Sequence, residues 1–240
     1  MDGSHEIHDG APDWPRGAER IECSTGFDGR PSVIFPSLHE MSTASPSDDR
    51  FRGYVHKIEQ LLEQRAPDKV IIRKLSRATK ELCADGSWLQ DDHRVGDPDR
   101  YTRHMLHRDP LGRFLVLALV WQPGQETPIH DHSCWGIMGM VENALEEHAY
   151  QRLDDGSRPD FCDLTKGRSM DVVQGGVSYL LPPHEEIHRI GNTSDKQAIS
   201  LHVYGRDLDA VNVFDPDTGK VSKLQIRQSD DKADKRPFVV

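Results

Sequence analysis

The sequence predicts a mainly β fold, a barrel or sandwich of short strands preceded by a pair of α-helices. Three observations carry this expectation. From Arg113 onward, short apolar runs alternate with turn signals, with no helical periodicity between them. The sustained 3.6-residue periodicity lies upstream, within residues 50–85. The turns are written as Pro123-Gly124, Asp155-Gly156, Gly175-Gly176, Gly191-Asn192 and Thr218-Gly219, residue types that preset or tolerate tight-turn geometry.

In chain order, residues 1–48 are rich in Gly, Pro, Ser, Asp and His without periodicity, which describes an extension unable to bury a core. Within it, Met41 followed by Ser-Thr-Ala-Ser-Pro-Ser-Asp-Asp reads as a natural protein start, and His5 and His8 read as tail residues rather than a metal site. A first helix is expected where Phe51, Tyr54, Val55, Ile58, Leu61 and Leu62 recur at helical spacing after a Ser-Asp-Asp start signal. Pro67 opens a second, whose apolar stripe is Val70, Ile71, Leu75, Ala78 and Leu82, and Asp85-Gly86 ends it. The two helices are expected to cover one end or side of the β-structure, with His56 as a surface or packing residue. Strands are expected over 114–121, 135–141, 144–150, 177–181 and 197–204, with a last hairpin over 211–226. One domain therefore spans 49–226, and 227–240 is a charged tail.

Composition removes several function classes. A net charge of -10 argues against nucleic-acid and anionic-membrane partners. The longest apolar run, 114–121, is far short of the ~20 residues of a spanning helix, and the acidic N-terminus lacks the apolar core of a signal peptide. Four scattered cysteines without a C-x-x-C pair fit a reducing cytoplasmic setting. The expected partners are small molecules, and the expected assembly is a monomer or small homo-oligomer.

The chemistry centres on His130 and His132. In a β-strand, residues i and i+2 share a face, so both imidazoles would aim at one point. The spacing Gly124-x5-His130-x-His132, followed by Pro183-x4-His188-x3-Asn192, resembles the two motifs of the cupin superfamily, with Glu185 where a glycine is usual. That resemblance implies a double-stranded β-helix (jelly-roll-like) barrel that gathers His130, His132 and His188 at one metal. The usual first motif also carries a glutamate ligand, but Gly136 and Ile137 occupy the corresponding positions. Three neutral imidazoles leave a divalent ion its full charge, which suits an anionic ligand such as a thiolate. His184 lies outside the motif register and reads as a loop residue at the rim.

A three-histidine set without a carboxylate is similar to the thiol dioxygenase branch, which comprises the cysteine dioxygenases and 3-mercaptopropionate dioxygenases. Residues 197–204 alternate without a break, with Ile199, Leu201 and Val203 on one face and Ser200, His202 and Tyr204 on the other. The polar row matches the family's Ser-x-His-x-Tyr relay if it faces inward; an outward polar stripe is the alternative. Tyr101-Thr102-Arg103, before the expected barrel, resembles the segment from which cysteine dioxygenases hold the substrate carboxylate, which implies Arg103 as the anchor, with Arg206 as a rival. Trp135-Gly136 is more similar to the mercaptopropionate branch. Cys134 shares parity with His132 but precedes the family's cross-linking position, so a cross-link-free Tyr204 is expected. Asn143 replaces a glycine that commonly closes the first motif, a change that left-handed backbone geometry tolerates. The resemblance covers about residues 50–226 and implies an Fe(2+) enzyme that adds both atoms of O2 to a small carboxylate-bearing thiol. Cysteine is the first expectation and 3-mercaptopropionate the second. A metal-dependent cupin of other chemistry, or a non-catalytic binding protein, remains the alternative from a different class.

Overall fold

A computed structural model of the chain describes residues 46–226, His184 excepted. His5, His8, Met41, His184 and the tail beyond 226 lie outside the described residues. Helix α1 (Pro46–Glu63) begins inside the stretch expected to be extension, and α2 (Asp68–Cys83) starts after Pro67, which sits at the N-cap with extended geometry. Ten strands follow: β1 (Thr102–Arg108), β2 (Leu115–Trp121), β3 (Gly136–Glu142), β4 (Ala144–Arg152), β5 (Leu164–Val173), β6 (Val177–Leu180), β7 (Ile187–Gly191), β8 (Ala198–Tyr204), β9 (Ala210–Asp215) and β10 (Lys220–Gln225). The six strand regions read from the sequence are present, while β1, β5 and β7 were not expected.

The strands form a five-stranded antiparallel sheet in the order β1-β2-β8-β3-β6, a three-stranded sheet β5-β4-β7 and the hairpin β9-β10. Side-chain alternation divides the core. Leu115, Leu117, Leu119 and Trp121 of β2 point into the barrel with Met138, Met140, Leu145, Val172 and Ile190. Val116, Ala118 and Val120 point the other way, and with Ile199, Leu201 and Val203 of β8 they pack under Ile58, Leu61, Ile71 and Leu75 of the helices. This is the mainly β barrel with an N-terminal helical pair that the sequence predicts. Gly139 on β3 lets α2 approach closely, since a Cβ there would lie 2.4 Å from Thr79 Cγ2 and 2.7 Å from Cys83 Sγ.

Two positions depart from expectation in ways that matter for the site. His130 and His132 are not on a ladder strand; His130 instead makes isolated antiparallel bridges to both His188 and Val213. Arg103 does not precede the barrel but sits on its edge strand β1, opposite Leu119. Asn143 adopts the left-handed conformation (φ 58°) in the tight β3–β4 turn, as expected of a residue replacing glycine.

Candidate metal centre

His188 enters from β7, and its backbone N–H and carbonyl exchange hydrogen bonds with those of His130, at 3.0 and 2.9 Å. This two-bond clamp fixes the 124–132 segment against the small sheet. Asp131, between the two histidines, adds a second clamp by accepting hydrogen bonds from the Asn212 backbone N–H and side-chain amide on β9. The result brings one nitrogen each of His130, His132 and His188 within 4.8 Å of one another, all three residues being buried.

The donor set fits a transition-metal ion. Burial, with a smaller contribution from neighbouring positive groups, pushes the His130 pKa down to about 3 and holds His132 well below the imidazole range, so both lone pairs are free. His188 Nε2 and His132 Nδ1 are buried without any hydrogen-bond partner, a costly state that a ligated ion would relieve. The far side of the site is also specified. His130 Nδ1 lies 2.9 Å from the Pro128 carbonyl, and His188 Nδ1 lies 2.7 Å from Glu147 Oε1. Burial alone would raise the Glu147 pKa, but hydrogen bonds from His188 and Ser178 outweigh it and hold the carboxyl below its ordinary value.

The Ser200–His202–Tyr204 row faces inward, toward this cluster. Ser200 Oγ is 2.8 Å from His202 Nε2, His202 Nδ1 is 3.0 Å from the Tyr204 hydroxyl, and the Tyr204 ring lies 4.5 Å from that of His132. The aliphatic face of β8 is equally buried, under the helices, which is why alternation alone left both orientations open. Trp121 fixes the polarity of the row. Its indole N–H, which can only donate, reaches Ser200 Oγ at 2.9 Å. Ser200 then donates to His202 Nε2, His202 Nδ1–H donates to the Tyr204 oxygen, and the Tyr204 proton is left for the cavity. The reverse polarity would strand the Ser200 proton in a fully buried place. Burial holds His202 neutral and raises the Tyr204 pKa, so the phenol keeps that proton.

Arg103 lines the same cavity with Tyr101, Thr127, Pro128, His130, His132 and Tyr204, and Leu208, Val211, Leu224 and Ile226 form its apolar wall. Its Nε and Nη2 are buried with no hydrogen-bond partner. Tyr101 stacks on Trp121 with ring centroids 4.5 Å apart, which fixes the strand that carries Arg103. Arg206 is exposed, does not line the cavity, and directs its Nε toward the Asp207 carbonyl at 3.4 Å. The rival anchor is therefore not at the site.

The sequence model described as cysteine dioxygenase type I matches residues 40–217. The chain belongs to the cysteine dioxygenase type I family. Among relatives, it is 29% identical over 132 residues to cysteine dioxygenase type 1 of Homo sapiens, covering 53% of this chain and 62% of that one. It is 28% identical over 129 residues to the Danio rerio protein of the same name, covering 51% of this chain and 60% of that one. The chain thus spans about three fifths of the length of the curated relatives it matches. Solved structures that resemble it include an oxalate oxidase (TM-score 0.39, 18% identity, 54% of this chain and 64% of that one). Another is a Cupin 2 conserved barrel domain protein from Salinispora arenicola (TM-score 0.34, 19% identity, 48% and 84%).

Within this family frame, Gly136 pairs directly with Tyr204 across β3 and β8, and a Cβ at Gly136 would stand 3.3 Å from the Tyr204 ring. Cys134 is a free, partly buried thiol, pushed up to about 12 by burial. Sequence reasoning missed Glu147, Trp121, Asp131 and Asn212. Glu147 carried a usable signal, since it shares strand parity with the buried Leu145 in a segment already read as a strand. Trp121 and the Asp131–Asn212 clamp carried none, because their partners are remote in sequence.

Proposed function

We propose that the protein is a non-haem iron thiol dioxygenase that converts a small carboxylate-bearing thiol into its sulfinic acid, with L-cysteine as the first substrate. The observation that carries this reading is a guanidinium with two buried, unpaired donors in the same cavity as His130, His132 and the Tyr204 phenol, with His188 completing the three-histidine cluster beside it. His130, His132 and His188 would hold Fe(2+), which when bound supplies thiolate coordination and dioxygen activation. Arg103 receives the carboxylate in two-pronged fashion and so sets the reach of the sulfur toward the histidines. Tyr204, aimed by Trp121, Ser200 and His202, donates its hydroxyl proton to anionic oxygen inside the cavity. The apolar wall of Leu208, Val211, Leu224 and Ile226 keeps water from the reacting sulfur. Both atoms of dioxygen end on sulfur, so the reaction needs no external reductant.

One observation favours 3-mercaptopropionate as the second reading. Among the described residues, none that lines the cavity with Arg103 is a carboxylate, so a substrate ammonium would find no ion-pair partner there. Oxygen uptake by the iron-loaded protein with each thiol, coupled to mass analysis of the product, decides between them. Sulfinate formation is the expected result. Absence of oxygen consumption with cysteine, 3-mercaptopropionate and other small thiols would overturn the dioxygenase reading, and activity that persists without oxygen would assign the site to other chemistry.

A further inference from the structure

The three histidines have unlike supports. His130 Nδ1 meets a backbone carbonyl and His188 Nδ1 meets a carboxylate at 2.7 Å, whereas among the described residues neither ring nitrogen of His132 has a hydrogen-bond partner. That carboxylate belongs to Glu147 on β4. Ala149 stands opposite His188 in the β4–β7 ladder, so Glu147 is its diagonal neighbour on the same face. The other Glu147 oxygen accepts a hydrogen bond from Ser178 on β6, across to the large sheet. Glu147, Ser178 and His188 are all buried, so the anion lies in a low-dielectric place with both oxygens engaged. Burying a carboxylate there carries a desolvation cost that a leucine would avoid, and the His188 and Ser178 contacts are what it gains. His188 Nε2 is left buried and unpartnered on the metal side.

We propose that Glu147 is the positioning residue of the centre: it holds His188 as the Nδ1–H tautomer and supplies, one bond behind the ligands, the negative charge that the ligand set itself lacks. The inference rests on the three-histidine reading above. It makes the ligands unequal, with His188 the most electron-rich donor and the one that retains the ion. It also gives Ser178 a task, since its hydroxyl keeps the second Glu147 oxygen turned away from the metal point. Charge is thus placed on the ring side away from the cavity, where it strengthens metal binding without occupying a position that an incoming thiolate needs.

Cobalt(II) titration of the metal-free full chain, read as affinity and as the visible absorption of the bound ion, tests this together with nitrogen-15 NMR of the histidine rings. In the unsubstituted protein, His188 should carry its proton on Nδ1; a proton on Nε2 would overturn the proposal. Glu147→Gln keeps the shape and removes the charge, and should weaken cobalt binding about 10–100-fold and shift the visible bands while the melting temperature stays within a few degrees. Wild-type affinity and spectrum in Glu147→Gln would overturn it. Glu147→Asp should recover part of the loss, and Ser178→Ala, which leaves the charge in place, should lose only a few-fold. An equal loss in Ser178→Ala and Glu147→Gln would assign the effect to packing and overturn the charge role. His188→Ala separates the two levels, because unchanged cobalt binding in that variant defeats the three-histidine reading itself.

Discussion

Replacing Arg103 by leucine should make the protein more stable and much less able to use its substrate. In the ligand-free chain, Nε and Nη2 of Arg103 are buried without partners. Each unsatisfied donor of this kind costs roughly 1–3 kcal/mol, so removing them stabilises the fold by about 2 kcal/mol after the lost stem contacts are allowed for. For a domain of this size that corresponds to a rise of roughly 4–8 °C in melting temperature. A bound carboxylate reverses the balance. Two hydrogen bonds to a charged group contribute about 1.5–3 kcal/mol each, so their loss should lower kcat/KM by roughly 10²–10⁴. The assays are a thermal melt of the metal-free protein and oxygen uptake against thiol concentration. A subsidiary effect has a fixed sign. Arg103 adds to the burial that depresses the pKa values of His130, His132 and His202, so each should move upward in the variant. A lower melting temperature with unchanged kcat/KM would show that Arg103 is a structural cation, and would refute the reasoning.

Three further outcomes follow from the same geometry. Trp121→Phe keeps the stack on Tyr101 but removes the N–H that sets the polarity of Ser200, so kcat should fall about 5–10-fold with KM little changed, measured by steady-state oxygen uptake. Asp109 accepts four hydrogen bonds, from the Leu111 and Arg113 backbone and from Arg113 Nε and Nη2, and the Arg113 bonds hold its pKa at about 2 against an ordinary 3.8. A depressed folded-state pKa stabilises above the unfolded value, so about 2 kcal/mol is present above pH 4 and is lost as pH falls through 2. Denaturant melts of Asp109→Asn should show that loss at neutral pH and a flatter acid limb. Gly139→Ala forces Thr79 and Cys83 of α2 outward and should cost about 1–3 kcal/mol in the same melts.

The three strands that the sequence concealed are those that carry the chemistry or the edge. β1 was missed because its inward position at the site is Arg103 among histidines, which inverts the usual pattern of apolar-in and polar-out. β5 is almost wholly exposed, with Val172 its single buried residue, so Lys166 and Arg168 read as loop although they are what an edge strand carries. β7 is five residues long and gives one of its inward places to His188. In each case a functional or edge-protecting residue removed the periodicity on which strand recognition depends. The Ser200–His202–Tyr204 row escaped this only because the opposite face of β8 is aliphatic and packed beneath the helices.

The His130–His132 pair makes a stronger case than its spacing allowed. Strand parity suggested that two imidazoles one residue apart would converge, yet the segment belongs to no ladder strand. What makes the rings converge is a pair of clamps on either side of Asp131: the backbone exchange of His130 with His188, and the Asn212 contacts that tie Asp131 to β9. Convergence is therefore a tertiary property, contributed by the small sheet and the last hairpin together. It follows that the metal point is coupled to the apolar wall, because β9 supplies both Asn212 and Val211. A ligand that displaces Val211 pulls on the segment that holds two of the three histidines. Asn212→Ala, which removes the side-chain amide bonds to Asp131 but keeps the backbone ones and leaves every proposed metal ligand in place, should accordingly weaken cobalt binding several-fold, and undiminished affinity would show that the backbone contacts alone position the pair.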